Sequence, residues 1–440
     1  AMGGHLWRQH DGRGPGSVTV AGLDARTVPL YDLAEIVGLV QQNPEAAFCT
    51  LTVDDELAFG LENRCLPRAE IVERVAWALE VVGAGRLAGR DLATLSGGEK
   101  QKVAVAAILA ARPRVLILDE PTSNLDPPAT ADLFEVIARI RARAGMTVLV
   151  IEHKVDYLLP FEPRLVVMDQ GGIAYDGPCD EHVFPPAFES CGPAPVPLGG
   201  EPLLRVEGLS AGYGGRPVLH HVSLVLWPGE FVVVMGDNGS GKTTFLQSIL
   251  GLVKPAQGRV ELLGLDTRQV PVSRLARDVG LVFQNPDHQI FCDTVWQEAT
   301  FAPRNLGLLD ARMEERVALL LARSGLEGRH DEHPYRLSYG QKRRLNLVSV
   351  LSSAPRLLLL DEMLIGQDPG NAAFLLGLLA EHARQGGTVL LVSHAPEVAR
   401  CYANRLLFFE DGRLVLDAPP AAAFGWLAGR GRRAYLPAAM

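Results

Sequence analysis

The sequence lacks long hydrophobic runs, which predicts that no segment of it crosses a membrane as a helix. A membrane-spanning helix needs roughly 20 predominantly apolar residues in succession. The longest apolar runs here are far shorter, and two of them, Val115–Leu118 and Leu357–Leu360, end at acidic residues. Short, wholly apolar runs are instead typical of strands buried on both faces of a parallel sheet.

The sequence also lacks an excess of basic residues and a cysteine framework. It has 42 Lys and Arg residues against 51 Asp and Glu residues, a formal net charge of −9. Because nucleic-acid-binding surfaces usually show a basic excess, we expect no nucleic-acid partner. The six cysteines are scattered without a CxxC pair, so we expect reduced thiols rather than a disulfide framework or a metal site.

What the chain does contain is a long internal repeat. Its 440 residues suit two domains better than one core. The segment VGLVQQNPEAAFCTLTVDDELAFGLEN from Val37 matches VGLVFQNPDHQIFCDTVWQEATFAPRN from Val279, at a shift of 242 residues. This repetition indicates a tandem duplication. We place the first domain at 1–184, a linker rich in Pro and Gly at 185–200, and the second domain at 201–440.

One stretch, GDNGSGKTT at 236–244, has the GxxxxGK[ST] spacing of a phosphate-binding loop. It follows the apolar run Phe231–Met235 and precedes another apolar stretch, which is the strand and helix context that this motif requires. Backbone N–H groups would wrap a polyphosphate, Lys242 would reach its terminal phosphates, and the Thr243 hydroxyl would ligate Mg²⁺. We therefore expect an α/β fold of two tandem P-loop NTPase domains, each with a mainly parallel sheet and a helical subdomain.

The phosphate loop occurs once, although almost every other landmark occurs twice. Residue 1 aligns with position 243, so the first repeat starts just after the place where its own loop would be. The opening residues, AMGGHLWRQHDGRGPG, do not resemble the corresponding TTFLQSILGLVKPAQG. Two explanations stay open, a natural asymmetric pair with one degenerate site or an incomplete N-terminus. The intact Gln42, Glu120 and His153 favour an incomplete N-terminus.

Pairs of carboxylates follow two of the predicted strands. Asp361 and Glu362 come directly after four leucines, at the strand edge where α/β sheets bind ligands. Asp361 would belong to the magnesium shell, and Glu362 would polarise the attacking water. Asp119 and Glu120 occupy the same place in the first repeat.

A histidine follows a further strand in each repeat, at His394 and at His153. A single histidine in such a place is usually structural. Because both repeats carry one downstream of the carboxylates, we expect these two histidines to sense the phosphate.

The remaining motifs resemble those of the ATP-binding-cassette (ABC) ATPases. LSGGEK at 95–100 and LSYGQK at 337–342 are similar to the family's signature motif, and DEPTSNLDP at 119–127 is similar to its Walker B and D-loop. Gln42 and Gln284 match the Q-loop glutamine, and Tyr213 matches the aromatic residue that stacks on adenine. The resemblance implies ATP as the nucleotide, Mg²⁺ as the metal with Thr243 and Gln284 as ligands, and hydrolysis as the reaction.

In this family two domains pair head to tail, and one domain's phosphate loop meets the other's signature. The resemblance therefore implies one intact site from Tyr213, Gly236, Asp237, Asn238, Gly239, Ser240, Gly241, Lys242, Thr243, Thr244, Gln284, Asp361, Glu362 and His394 with Ser96, Gly97, Gly98 and Glu99. A second site would use Gln42, Asp119, Glu120 and His153 with Ser338 and Gly340. This second site lacks a phosphate loop, and Tyr339 stands where the family has glycine, as a steric obstacle to phosphate.

The segments that follow the two QNP motifs resemble the ATPases of energy-coupling factor (ECF) transporters, which import vitamins and metal ions. This likeness implies two partners, a transmembrane coupling subunit and a substrate-binding membrane subunit, and a peripheral location on the cytoplasmic face of the membrane. The alternatives are a conventional ABC importer ATPase and a soluble tandem ABC ATPase that acts on ribosomes or DNA. A third possibility is that the first repeat forms an incomplete core and the chain hydrolyses no ATP.

Overall fold

A computed structural model of the chain describes residues 16–169, 171–179 and 199–437. The chain divides into two compact units, Ala1–Val183 and Phe184–Met440, which we call the first and the second unit. The predicted linker at 185–200 lies outside the described residues except for its last two positions. The opening stretch that was compared with the region after the phosphate loop also lies outside them, apart from Gly16.

The first unit contains a parallel sheet and a helical region. Its strands are β1 (Thr19–Val20), β2 (Leu23–Asp24), β3 (Val37–Val40), β4 (Val115–Asp119), β5 (Thr147–Ile151), β6 (Arg164–Asp169) and β7 (Gly172–Pro178). Its helices are α1 (Leu30–Ile36), α2 (Val53–Glu62), α3 (Arg68–Val81), α4 (Gly97–Ala110) and α5 (Pro127–Ala144). Strands β3, β4 and β5 pair in parallel in that order, while β1 pairs with β2 and β6 with β7 in antiparallel fashion.

The second unit is larger and contains two sheets. Its strands are β8 (Leu204–Tyr213), β9 (Arg216–Leu226), β10 (Phe231–Gly236), β11 (Gln257–Leu262), β12 (Leu265–Asp266), β13 (Val279–Val282), β14 (Leu357–Asp361), β15 (Thr388–Val392), β16 (Arg405–Glu410) and β17 (Arg413–Ala418). Its helices are α6 (Lys242–Ile249), α7 (Val272–Leu275), α8 (Val295–Asn305), α9 (Ala311–Arg323), α10 (Tyr339–Leu351), α11 (Pro369–Arg384), α12 (Pro396–Tyr402) and α13 (Pro420–Gly429).

The larger sheet of the second unit has the order β13-β14-β15-β10-β16-β17, and only β17 runs antiparallel to its neighbour. Every residue of β10, β14 and β15 is buried, because helices cover one face of this sheet, and α6 with strands of the second sheet covers the other. The short apolar runs predicted from the sequence are these strands. The second sheet is antiparallel, in the order β12-β11-β8-β9.

This topology assembles the site. Parallel strands end at the same edge of a sheet, and four loops leave that edge after β10, β13, β14 and β15. They carry the phosphate loop, Gln284, the pair Asp361 and Glu362, and His394 respectively. Helices α8 and α9 form the expected helical region between the QNP segment and the second signature, and α10 begins within that signature.

One cysteine contradicts the expectation of reduced thiols. Cys49, Cys65, Cys179 and Cys292 are free thiols. Cys401 is disulfide-bonded, so the expectation is wrong at this position, because spacing along the sequence does not show which residues the fold brings together. In the part of the chain that the structure describes, no helix is both long and apolar enough to cross a membrane.

Candidate functional site

Two glycines give the phosphate loop its shape between β10 and α6. Gly236 has a φ of +144°, and a Cβ atom there would lie 2.2 Å from the carbonyl oxygen of Phe409. Gly241 has a φ of +96° and directly precedes Lys242, the first residue of α6. Residues with a side chain rarely adopt such conformations. Because no described side chain caps α6, the N–H groups of its first turn suit an anion.

Two polar side chains inside the loop fit a phosphate group. Lys242 Nζ donates to the carbonyl oxygens of Gly236 and Asp237, both at 2.8 Å, and this lysine is only 5% exposed. The Ser240 hydroxyl is buried and has no hydrogen-bond partner among the described residues. A buried hydroxyl and an inward-facing ammonium group are the donors that a phosphate in this loop requires.

The structure also brings together oxygen atoms suited to Mg²⁺. Thr243 Oγ1 donates to Asp361 Oδ2 at 2.8 Å, at the end of β14. Burial raises the pKa of Asp361 to about 6; the Thr243 hydrogen bond opposes this shift and the Glu362 charge adds to it. No described cluster of three His, Cys, Asp or Glu side chains could hold a metal. A magnesium ion here would be held by the hydroxyl of Thr243 and the carboxylate of Asp361, with Gln284 as the ligand that the family resemblance implies.

Glu362 lies at the centre of a three-residue arrangement. His394 Nε2 and Glu362 Oε1 are 2.9 Å apart, and Gln284 Nε2 donates to Glu362 Oε2 at 3.1 Å. Burial would raise the pKa of Glu362, but the hydrogen bond and charge of His394, with the charges of Lys242 and Arg343, lower it below its usual value. Glu362 is thus a charged acceptor held by two partners, as a residue that orients water must be.

The backbone of Glu362 has a φ of +48°, which is uncommon for a residue with a side chain. Its N–H group donates to the carbonyl oxygen of Val392 at 3.2 Å, and its own carbonyl accepts from Arg343 Nη1 at 2.8 Å. Residues in this conformation persist where the surroundings over-determine them, often at functional sites.

Tyr213 lies at the end of β8, about half exposed, as a surface for adenine stacking must be. Its hydroxyl donates to Gln247 Oε1 at 2.8 Å and lies 3.5 Å from Thr244 Oγ1. Tyr213 is therefore tied to α6, the helix that follows the phosphate loop. The ring is held beside the loop without being covered.

A C-terminal anchor, formed by Arg432 and Tyr435, holds Asp237 of the phosphate loop. Tyr435 Oη donates to Asp237 Oδ1 at 2.6 Å, and Arg432 Nη1 donates to Asp237 Oδ2 at 2.9 Å. Arg432 also pairs with Glu410 at the end of β16. This anchor is not predictable from the sequence, because nothing local connects Asp237 with residues almost 200 positions later.

Arg343 is a further residue beside the site that the sequence did not predict. It lies on α10, is 2% exposed, and donates from Nη2 to the carbonyl oxygen of Gln284 at 2.7 Å. The same Nη2 lies 2.9 Å from Tyr339 Oη, and the guanidinium carbon lies 4.9 Å from the centre of the Tyr339 ring. No sequence signal pointed to Arg343, because its burial, which is rare for an arginine unless it is paired, is visible only in the fold.

The first unit repeats part of this arrangement. Gln42 Nε2 donates to Glu120 Oε2 at 2.8 Å, and His153 Nε2 lies 3.4 Å from Glu120 Oε1. Glu120 has a φ of +42°. Burial, helped by the charge of Glu120, raises the pKa of Asp119. The His153 side chain is 43% exposed, against 11% for His394, so this arrangement is the more open one.

Both signature serines begin a helix. Ser96 and Glu99 form a capping box on α4, since Ser96 N–H donates to Glu99 Oε2 at 3.0 Å and Glu99 N–H to Ser96 Oγ at 3.4 Å. The backbone hydrogen bond from Ser96 lowers the pKa of Glu99. Glu99 therefore has a structural partner in the first unit. Ser338 caps α10 in the same way with Gln341.

The glycines of the two signatures differ in their surroundings. A Cβ atom at Gly97 would meet no described atom within 4 Å, whereas at Gly98 it would lie 3.2 Å from the Cβ atom of Ala129. At Gly340 the nearest atom would be Gln367 Nε2, also at 3.2 Å.

Within the second unit, the structure brings together Gly236–Thr244, Gln284, Asp361, Glu362 and His394.

The chain matches a family model and several known proteins. The sequence profile of the ABC transporter family matches residues 9–123 and 219–364. A "Putative ABC transporter ATP-binding protein" of Methanosarcina mazei is 34% identical, over 94% of this chain and 80% of its own length. The "Putative HMP/thiamine import ATP-binding protein YkoD" of Bacillus subtilis is also 34% identical, over 92% of this chain and 80% of its own length.

Among solved structures, cbiO1 of Clostridium perfringens, part of the ABC transporter complex cbiONQ, is 30% identical with a TM-score of 0.47, over 53% of this chain and 95% of its own. The two family matches confirm the α/β fold of tandem P-loop domains, and they confirm ATP hydrolysis as the reaction. The chain belongs to the ABC transporter family, in which it is an ATP-binding subunit with ATPase activity.

Proposed function

We propose that the protein is the ATPase subunit of an ECF-type importer of a vitamin or a metal ion. The observation that carries this proposal is an exposed aromatic pair in the segment after the QNP motif of the second unit. Phe291 is 61% exposed and Phe301 is 41% exposed, and their rings meet edge to face at 4.4 Å. Exposed aromatic side chains in one patch mark an interaction site.

The segment that carries these rings is directly connected to the ATP site. Gln284, which holds Glu362, lies seven positions before Phe291. Glu298 on α8 is 2% exposed and accepts from the backbone N–H groups of Phe291 and Cys292 at 3.0 and 2.9 Å. A helix of a membrane subunit that packs on the two rings would therefore act on a braced loop that begins at Gln284, the residue that donates to Glu362.

In the first unit a buried glutamate holds the corresponding segment in the same way, but the exposed side chains of that segment differ. Glu56 accepts from the N–H groups of Cys49 and Thr50, both at 3.0 Å. Cys49 stands where the second unit has Phe291, while Phe59, 42% exposed, matches Phe301. Leu51 is 79% exposed. The aromatic pair is thus specific to the second unit, as expected if an asymmetric transmembrane partner contacts the two units differently.

The relative in Bacillus subtilis named for HMP and thiamine import supports a vitamin as the transported substrate. In this proposal the protein lies on the cytoplasmic face of the membrane, next to a transmembrane coupling subunit and a substrate-binding membrane subunit. The choice of substrate would belong to that membrane subunit.

The chemistry follows from the side chains of the second unit. Lys242 would exchange the carbonyl oxygens of Gly236 and Asp237 for phosphate oxygens, since its ammonium group already lies inside the loop. Glu362 would orient the attacking water, held by Gln284 and His394. Mg²⁺ would supply charge neutralisation at the phosphates, next to Thr243 and Asp361. From the family's mode of pairing, we also propose that Ser96, Gly97 and Gly98 complete this site.

The experiment compares membrane association and ATP hydrolysis in three proteins. Wild type, Phe291→Ser and Lys242→Ala are expressed in the native host, and membrane and ribosome fractions are separated. We expect wild type and Lys242→Ala in the membrane fraction, and Phe291→Ser largely released from it with its basal ATPase retained. Lys242→Ala should hydrolyse no ATP. Sedimentation of the wild type with ribosomes would instead support the soluble tandem ATPase, and membrane binding that is unchanged in Phe291→Ser would refute the role of the aromatic pair.

A further inference from the structure

Tyr339 and Arg343 replace a glycine and a glutamine of the first unit. At the repeat shift, Tyr339 corresponds to Gly97 and Arg343 to Gln101. Gln101 is 3% exposed, and its Nε2 atom has no hydrogen-bond partner among the described residues. The same helical position therefore holds a neutral amide with an unpaired Nε2 among the described residues in one unit, and a buried cation in the other.

The buried cation connects two functional loops. Arg343 Nη1 donates to the carbonyl oxygen of Glu362 at 2.8 Å, and Nη2 donates to the carbonyl oxygen of Gln284 at 2.7 Å. These two residues also meet through their side chains, at 3.1 Å. Arg343 thus holds the backbone at Gln284 and at Glu362, which keeps their side chains within hydrogen-bonding distance of each other. The planar fork of a guanidinium group suits such a double contact, which an ammonium group cannot reproduce.

Tyr339 completes the arrangement. Its hydroxyl accepts from Arg343 Nη2 at 2.9 Å, and its ring lies under the guanidinium group. The ring and hydroxyl supply contacts that offset the cost of burying the charge. Tyr339 therefore does more than replace a glycine of the family motif. It stabilises Arg343, which contacts the loops of Gln284 and Glu362.

We propose that Arg343, held by Tyr339, is a positioning residue for ATP hydrolysis in the second unit. It sets the distance between the Gln284 loop and the Glu362 loop, so that the glutamate points at the attacking water. This inference rests on the ATPase activity of the chain and is independent of which importer the chain serves. Neither residue would touch ATP bound in the phosphate loop.

The test compares kcat with the affinity for ATP. Arg343→Gln installs the residue of the first unit, and Arg344→Gln is the matched control, since it removes a half-buried arginine from the same helix. Misplacing a reacting group by about 1 Å can cost about 100-fold in rate. We expect Arg343→Gln to lower kcat by about 10- to 100-fold with KM within about twofold of wild type. Arg343→Lys should restore part of the rate, and Tyr339→Phe, which keeps the ring, should lower kcat by a smaller factor.

Hydrogen–deuterium exchange supplies a readout that needs no turnover, applied to Tyr339→Phe and Arg343→Lys with wild type and Arg344→Gln as references. Peptides that contain Gln284 and Glu362 should exchange faster in both variants than in wild type, and should be unchanged in Arg344→Gln. The proposal is overturned if kcat stays within twofold in Arg343→Gln, if KM rises as much as kcat falls, or if Arg344→Gln has the same effect. If wild type lacks membrane binding but shows these effects, only the importer assignment fails.

Discussion

One hydroxyl group, that of Tyr435, is expected to stabilise the phosphate loop measurably. It donates to Asp237 Oδ1 at 2.6 Å, while the Tyr435 ring is fully buried and meets Phe408 edge to face at 5.0 Å. Tyr435→Phe would remove the hydroxyl and leave the ring in its place. The change therefore isolates a single hydrogen bond between the C-terminal anchor and the loop that binds phosphate.

The magnitude follows from the charge of the acceptor. A hydrogen bond to a charged group contributes about 1.5–3 kcal/mol to stability. Arg432 still donates to the other carboxylate oxygen of Asp237, so we expect a loss near the lower end, about 1.5 kcal/mol. For a unit of this size that loss lowers Tm by about 3–6 °C. If the whole loss of free energy falls on ATP binding by the loop, KM for ATP rises by about tenfold at most.

A double-mutant cycle measured by urea unfolding tests this reasoning. Tyr435→Phe, Asp237→Asn and the double variant are compared with wild type, and the two changes should couple by about 1 kcal/mol. The matched control is Tyr335→Phe, because the Tyr335 hydroxyl makes only a 3.4 Å contact with the neutral carbonyl of Ile290. That control should change stability by less than about 0.5 kcal/mol. Strict additivity of the two anchor changes would refute the reasoning.

Three further predictions concern hydrolysis and pH. The intact site is expected to combine the phosphate loop of the second unit with Ser96, so Ser96→Ala should strongly reduce ATP hydrolysis. Ser338→Ala should matter far less. Steady-state rates that fall equally in both variants would contradict the proposal of one intact site. Glu362→Gln keeps the size of the side chain but removes its charge, so turnover should fall by about 100-fold or more while ATP binding persists, as a filter-binding assay would show. Burial, reinforced by the charge of Arg316 and opposed by a hydrogen bond with the backbone of Pro355, lowers the pKa of His382 from 6.5 to about 4. Because the pKa of His382 is lowered in the folded state, this residue contributes stability that is complete above pH 6.5 and is lost as the pH falls toward 4. Between pH 7.5 and pH 4.5 the free energy of unfolding should therefore fall by about 3 kcal/mol more in wild type than in His382→Gln.

The sequence predicted the parts of the site that follow short-range rules. The resemblance to ABC ATPases implied one site with Gln42 and Glu120 and another with Gln284 and Glu362, and the structure joins both pairs by hydrogen bonds at 2.8 and 3.1 Å. The reason is that the carboxyl ends of parallel strands converge, so residues just after successive buried runs must meet. The family matches confirm the fold that this pattern predicted.

The contacts that sequence reasoning missed depend on tertiary packing. Arg432 and Tyr435 reach Asp237 only because α13 and the turn after it pack near the end of β16. Arg343 has no distinctive neighbours in the sequence, and only its burial shows that it bonds two loops. Side-chain contacts across such distances leave no periodic trace along the chain, so no pattern could predict them.

The central position of β10 has a consequence for synthesis. Its first residue, Phe231, donates its N–H to the side chain of Asn404, 173 residues later, and β10 pairs with both β15 and β16. At about 5–20 residues per second, a ribosome needs roughly 10–35 seconds to make the intervening chain. Until β15 has been made, late in that interval, the apolar strand FVVVM has neither of its final neighbours. The strand that leads into the ATP-binding loop is therefore unpaired in the nascent chain until β15 and β16 have been made, which exposes it to aggregation.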